Sequence, residues 1–132
     1  MCTAIERIER LNPSLNAVVT TAYDQVLRAR PPAGPFQGVP FLLKDLGTEA
    51  AGMRLCEGSR FLAGHVPATD SELVRRLRRA GLVILGATHS PEFGMLPTAE
   101  TRLFGATANP WDASRVAGGS SGGSAVGRRR TH

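Results

Sequence analysis

Thr69-Asp70-Ser71-Glu72-Leu73-Val74-Arg75-Arg76-Leu77-Arg78-Arg79-Ala80-Gly81-Leu82-Val83-Ile84-Leu85-Gly86 is the stretch whose reading decides the fold class. A hydroxyl at Thr69 followed three residues later by Glu72 has the form of a capping box, which satisfies free N–H groups at a helix start. Leu73, Val74, Leu77 and Ala80 then recur at helical spacing and are expected to form the buried stripe, with Arg75, Arg76, Arg78 and Arg79 on a solvated face. Gly81 suits the position just past a helix end, where a left-handed backbone is common. Leu82 to Leu85 is a short, wholly apolar run, read as a buried strand that Gly86 ends.

Upstream, Val39 to Leu43 is a second apolar run, read as a strand with Lys44-Asp45 at its C-terminal end. Strand, helix, strand in that order predicts an α/β layer structure with some parallel pairing, because the helix carries the chain back to start the next strand in the same direction. Ile5, Ile8 and Leu11 mark an amphipathic helix ending at Asn12-Pro13; it starts almost at Met1 and reads as a shortened helix. Ala17 to Thr20 is β-prone. Tyr23 to Arg30 reads as a helix with Val26 and Leu27 inward, Pro31 to Pro35 as a loop, and Ala50 to Gly64 as irregular. Beyond Gly86 a long connection is expected from Ala87 to Gly119, broken by Pro91, Pro97 and Asn109-Pro110; such stretches are usually functional or disordered.

The 132 residues suit one domain or part of one. No apolar run approaches the roughly 20 residues that cross a bilayer, and the first residues carry no secretion signal. Cys2 and Cys56 match no metal spacing and read as reduced thiols of a cytoplasmic protein, with a single disulfide between them as the alternative. His65, His89 and His132 show no ligand spacing, so no metal and no cofactor are expected. The net charge of +5 shrinks on inspection: without Arg128, Arg129 and Arg130 the count is 13 basic against 11 acidic residues. A nearly balanced body argues against a nucleic-acid partner.

The chemistry concentrates in two places. Lys44 is the single lysine beside fifteen arginines, and it closes an apolar run. Arginine keeps its proton in a protein, whereas a buried lysine can lose it and act as a base. Its ordinary alternative is a lysine that reaches water or pairs with Asp45. The second place is Gly118-Gly119-Ser120-Ser121-Gly122-Gly123-Ser124, which suits a flexible linker, an anion nest or a serine–lysine acyl-transfer site. It lacks the Gly-Lys-Ser/Thr ending of a Walker loop and is not Gly-x-Ser-x-Gly.

Together these segments resemble the amidase signature family. The resemblance runs over about residues 4 to 126. It rests on Gly38-Val39-Pro40-Phe41-Leu42-Leu43-Lys44-Asp45, on Gly81 to Thr88 with Pro91-Glu92-Phe93-Gly94, and on Asn109-Pro110-Trp111-Asp112 followed by Gly118 to Ala125. It implies the N-terminal part of a mixed sheet flanked by helices, and amide hydrolysis or transfer by a serine, a cis-serine and a lysine. By position Lys44 resembles the base and Ser120 the bridging serine after a cis bond from Gly119. Ser121 resembles a supporting residue near the lysine, and Gly94, Met95 and Leu96 a segment lining the acyl pocket. A small-molecule amide substrate follows, with no membrane partner and a homodimer as one option for a full-length form. The motifs lean toward general or cyclic-oligoamide hydrolases; the ammonia-releasing subunit of glutamyl-tRNA amidotransferase and a non-enzymatic anion-binding fragment are the alternatives, and a product with no stable fold is a third.

Two departures stand out. The family's nucleophilic serine lies in a second glycine–serine loop downstream, past His132, so no nucleophile is expected here and the chain alone is expected to be inactive. The segment Gly127-Arg128-Arg129-Arg130-Thr131-His132 replaces an alanine-rich helix, and residues 127–132 therefore read as a non-family basic tail left by a frameshift or truncation. Ala87 and His89 also stand where lysine and asparagine are frequent.

Overall fold

The computed structural model describes residues 2–28, 30–31 and 33–128. Its frame is a three-stranded sheet centred on β3, Val83–Thr88, with β1, Val18–Thr21, antiparallel on one side and β2, Pro40–Lys44, parallel on the other. Helix α1 spans Cys2–Leu15, α2 Tyr23–Arg28, α3 Glu72–Arg79 and α4 Gly122–Gly127. The α/β class with parallel pairing read from the sequence is the one observed. The parallel pair is the one joined through α3, and it sets Leu43 opposite Ala87 and Lys44 opposite Thr88.

Every residue of β3 is buried, as expected of a central strand covered on both faces. The strand runs past Gly86 to Thr88, two residues beyond the stop read from the sequence. Gly86 is a point of close approach: a Cβ there would lie 2.1 Å from the Thr20 carbonyl oxygen of β1. Val39, placed in a strand by its hydrophobicity, is exposed and precedes β2.

The cap of α3 is Ser71, not Thr69. The Ser71 hydroxyl accepts from Val74 N–H, while Asp70 accepts from Ala51 N–H at 2.7 Å and pairs with Arg78 at 2.9 Å. Glu72 therefore opens the helix and faces Arg75 and Arg76 one turn on, at 2.6 and 2.8 Å, so it cannot reach back as a capping box requires. Val74 is fully buried and Leu77 packs against the core, but Leu73 is 53% exposed: this two-turn helix buries a narrower stripe than its apolar residues suggest. Gly81 takes a φ of 93° just past the helix, as expected.

Helix α1 runs through Pro13 to Leu15, three residues past the predicted boundary. Proline has no N–H to donate to the carbonyl of residue 9, and Glu9 is exposed, so water can donate to that carbonyl instead. Asn12 then ties the helix to β1: its side-chain oxygen accepts from Ala17 and Val18 N–H and its amide donates to Val18 O. In α2, Leu27 is 66% exposed and Val26 only half-buried, so the inward pair read from the sequence is not formed. The helix ends at Arg28, two residues short of the predicted Arg30.

The core gathers Ala22, Leu43, Ala50, Met53, Val74, Ile84 and Ala87 around the sheet; a smaller cluster joins Ala17, Ala117 and Val126. The connection from Ala87 to Gly119 is ordered by short ladders. β4, Glu100–Thr101, pairs with β5, Gly105–Ala106, and β6, Ala108–Asn109, with β7, Asp112–Val116. A polar plug replaces apolar periodicity there. Buried His89 bonds Thr107 at 2.7 Å through Nδ1 and Thr101 at 3.1 Å through Nε2. Arg129, Arg130 and His132 of the basic tail lie outside the described residues.

Candidate active site

Lys44 ends β2, and the chain turns at once into Asp45. Asp45 is completely buried and points away from the lysine: its carboxylate accepts from Cys56 N–H at 2.8 Å and Gly58 N–H at 3.0 Å. Burial pushes this carboxyl up from the ordinary aspartate value, and the backbone donors of Cys56 and Gly58 pull against that shift. Asp45 thus pins the turn at 56–58 rather than pairing with Lys44. No ion pair to Lys44 is present among the described residues.

What Lys44 meets instead is Ser120. Its Nζ lies 2.7 Å from Ser120 Oγ and donates to it, joining residues 76 apart in sequence. The Gly119–Ser120 peptide bond is cis. A Cβ on Gly119 would come within 3.0 Å of the Thr98 main chain, so glycine suits the residue before Ser120. The lysine main chain is held as well: Thr48 Oγ1 donates to Lys44 O, and Asp45 N–H donates to Thr88 O at 2.9 Å.

After Ser120 the chain enters α4 at Ser121, which is exposed; its side chain takes no part in the hydrogen bonds around Lys44 among the described residues. Gly122 and Gly123 let α4 sit directly on the end of β3. A Cβ on Gly123 would fall 2.5 Å from His89 N and 2.6 Å from Ala17 O, and Gly123 N–H donates to His89 O at 3.2 Å. Ser124 Oγ lies 2.7 Å from Thr88 Oγ1, which donates to Leu43 O at 3.0 Å. Neither hydroxyl had a role in the sequence reading; the signal was a polar residue closing an otherwise apolar strand.

Gly94, Met95 and Leu96 belong to a neighbouring strap. Gly94 packs under Leu46, two residues beyond Lys44: a Cβ on it would meet Leu46 Cδ2 at 2.9 Å. Met95 is 80% exposed and Leu96 half-exposed, so their side chains are free to face a ligand. Glu92 anchors the strap by accepting from Ser59 Oγ at 2.6 Å. Behind the site, Ile8 and Leu11 of α1, Leu42 of β2 and Val126 of α4 line an apolar groove of about 220 Å³. No cluster of three or more His, Cys, Asp or Glu residues that could hold a metal occurs among the described residues. The arrangement can move a proton between an amine and a hydroxyl. No helix among the described residues is long and apolar enough to cross a membrane.

Known proteins resemble this chain in sequence and in fold. Residues 2–127 match the sequence profile of the Amidase family. A glutamyl-tRNA(Gln) amidotransferase subunit of Dechloromonas aromatica (strain RCB) is 44% identical over 132 aligned positions, covering 92% of this chain and 27% of that protein. The 6-aminohexanoate-cyclic-dimer hydrolase of Paenarthrobacter ureafaciens is 41% identical over 127 positions, covering 91% of this chain and 25% of the relative. A solved structure of 6-aminohexanoate cyclic dimer hydrolase superposes with a TM-score of 0.88 at 39% identity, covering 92% of this chain and 26% of that one. The chain therefore spans about a quarter of the length of the relatives it matches.

Proposed function

Since the chain belongs to the amidase family of amide hydrolases, we propose that Lys44 and Ser120 are two members of a serine, cis-serine and lysine relay that cleaves a carbon–nitrogen bond. The 2.7 Å contact between Lys44 Nζ and Ser120 Oγ carries this reading. In the neutral-amine state Lys44 accepts the Ser120 proton as Ser120 accepts one from an attacking serine. That serine oxygen bonds to the amide carbonyl carbon. The bond to nitrogen then breaks, the proton returns along the same path to the departing amine, and water clears the acyl group. None of the 132 residues is assigned the attacking role, which in the family falls to a later loop. Residues 1–126 are taken as the amidase portion and residues 127–132 as a separate basic tail. Gly119 supplies the bond before Ser120, Ser121 acts through its main chain as the residue that leads into α4 rather than through its exposed hydroxyl, and Gly94, Met95 and Leu96 border the acyl pocket.

For substrate class, a small linear or cyclic amide is favoured by the TM-score of 0.88 to the cyclic-dimer hydrolase. The 44% identity to an amidotransferase component favours the second reading, in which the released ammonia passes to a partner.

Two measurements test the proposal. A purified polypeptide of these 132 residues should show no turnover of simple aryl or alkyl amides; hydrolysis by it that disappears in Lys44→Ala would overturn the assignment of the nucleophile elsewhere. A chimera joining residues 1–126 to the remainder of the cyclic-dimer hydrolase should be active, and Lys44→Ala and Ser120→Ala should each lower its rate by at least about a hundredfold, the low end of general acid–base contributions. A chimera indifferent to both substitutions would remove the relay.

A further inference from the structure

Resting on the Lys44–Ser120 reading, we propose that Thr88 and Ser124 are positioning residues whose linked hydroxyls set the separation between the amine and the bridging serine. Counting protons fixes the direction of the link. Thr88 has one hydroxyl hydrogen, and it goes to the Leu43 carbonyl at 3.0 Å. At the 2.7 Å contact with Thr88, Ser124 is therefore the donor. The result is a directed chain from Ser124 through Thr88 to the carbonyl of the peptide bond that Lys44 itself completes.

The two ends of this chain are the two halves of the site. Ser124 stands in the first turn of α4, four residues after Ser120, and Leu43 stands immediately before Lys44. Thr88 lies directly opposite Lys44 in the parallel ladder and is buried. It holds the lysine main chain on both sides: its hydroxyl takes the carbonyl of residue 43, and its own carbonyl takes the N–H of Asp45. Gly123, seated against His89 and Ala17, brings α4 close enough for Ser124 to reach. A slip of α4 by about 1 Å would carry the amine–hydroxyl contact outside hydrogen-bond range.

The lone lysine makes the test clean. Lysine labelled with 13C at the ε carbon gives this chain one side-chain ε-methylene signal, because Lys44 is its only lysine. Held in one rotamer, the two ε protons differ in shift; a mobile lysine averages them. The 132-residue chain should show two separated ε protons, and Ser120→Ala should merge them. Ser124→Ala and Thr88→Val should lose most of the separation while the amide spectrum of the sheet stays in place, and Thr88→Ser, which keeps the hydroxyl, should retain it. If Thr88→Val fails to melt cooperatively, Ser124→Ala and Thr88→Ser carry the test. Unchanged separation in Ser124→Ala overturns the proposal, as does a loss that comes only with collapse of the whole amide spectrum. If Ser120→Ala itself leaves the signal unchanged, the Lys44–Ser120 reading fails; if it merges the signal while Ser124→Ala does not, only the positioning role fails.

Discussion

His89 has its tautomer written by its neighbours. Thr107 Oγ1 donates to Asn16 O, so it must accept from His89, which places the imidazole proton on Nδ1 and leaves Nε2 to accept from Thr101. A second ring proton would face a hydroxyl already turned to donate. Burial accordingly holds the His89 pKa below the ordinary histidine value, and the nearby Asn16 backbone opposes this. The folded chain thus binds fewer protons than the unfolded one, and His89's contribution is fully present above the unfolded pKa of about 6.5 and is lost as pH falls below it toward the folded value. Thermal melting of the wild type should fall between about pH 7.5 and 5.5, the range that brackets that unfolded pKa, by more than that of His89→Gln. Parallel slopes would contradict it. Buried Asp45 works in the opposite sense, since a raised carboxyl gains relative stability as pH drops, so the difference between the two proteins is the informative quantity. Lys44 was legible in the sequence because a single lysine ending an apolar run is odd in itself. His89 and Asp45 were not, because nothing local says which polar side chain will find buried partners.

At the level of elements, α4 shows why a glycine-rich run need not be a linker. Gly123→Ala should raise helix propensity by up to about 1 kcal/mol. It should also force main-chain atoms of His89 and Ala17 apart, so a net loss of about 1–3 kcal/mol is expected. Gly127→Ala is the control, since its new methyl would meet nothing nearer than Leu42 Cδ1 at 3.7 Å. Urea midpoints should drop for the first and hold or rise for the second; equal midpoints would remove close packing as the reason for glycine at 123. The helix α3 was readable from periodicity, but its cap lies two residues later than expected, at Ser71, whose hydroxyl accepts from Val74 N–H while its own N–H donates to Glu49 O, a contact distant in sequence. The stretch after Thr88 was unreadable for a related reason: threonine hydroxyls and His89 order it, and these leave no repeating apolar signal.

Across the whole molecule, stability sits in the layer under the central strand. Leu43→Ala removes a fully buried side chain from the main core and should cost about 2–5 kcal/mol. Leu27→Ala, on the exposed side of α2, should stay within about 0.5 kcal/mol. Denaturant unfolding of the two variants checks the contrast, and similar losses would mean that the burial pattern is wrong. The α/β class, the parallel β2–β3 pair and the identity of the candidate base were determined by sequence alone, because apolar runs, helical spacing and one anomalous lysine are local facts. The tertiary structure alone decided that Asp45 turns to the backbone of Cys56 and Gly58 rather than to Lys44, that β3 continues through Gly86, and that Thr88 joins β2 to α4. The reason is that each of these depends on which partner a polar group or a bare backbone reaches across a long stretch of chain, and only packing selects that partner.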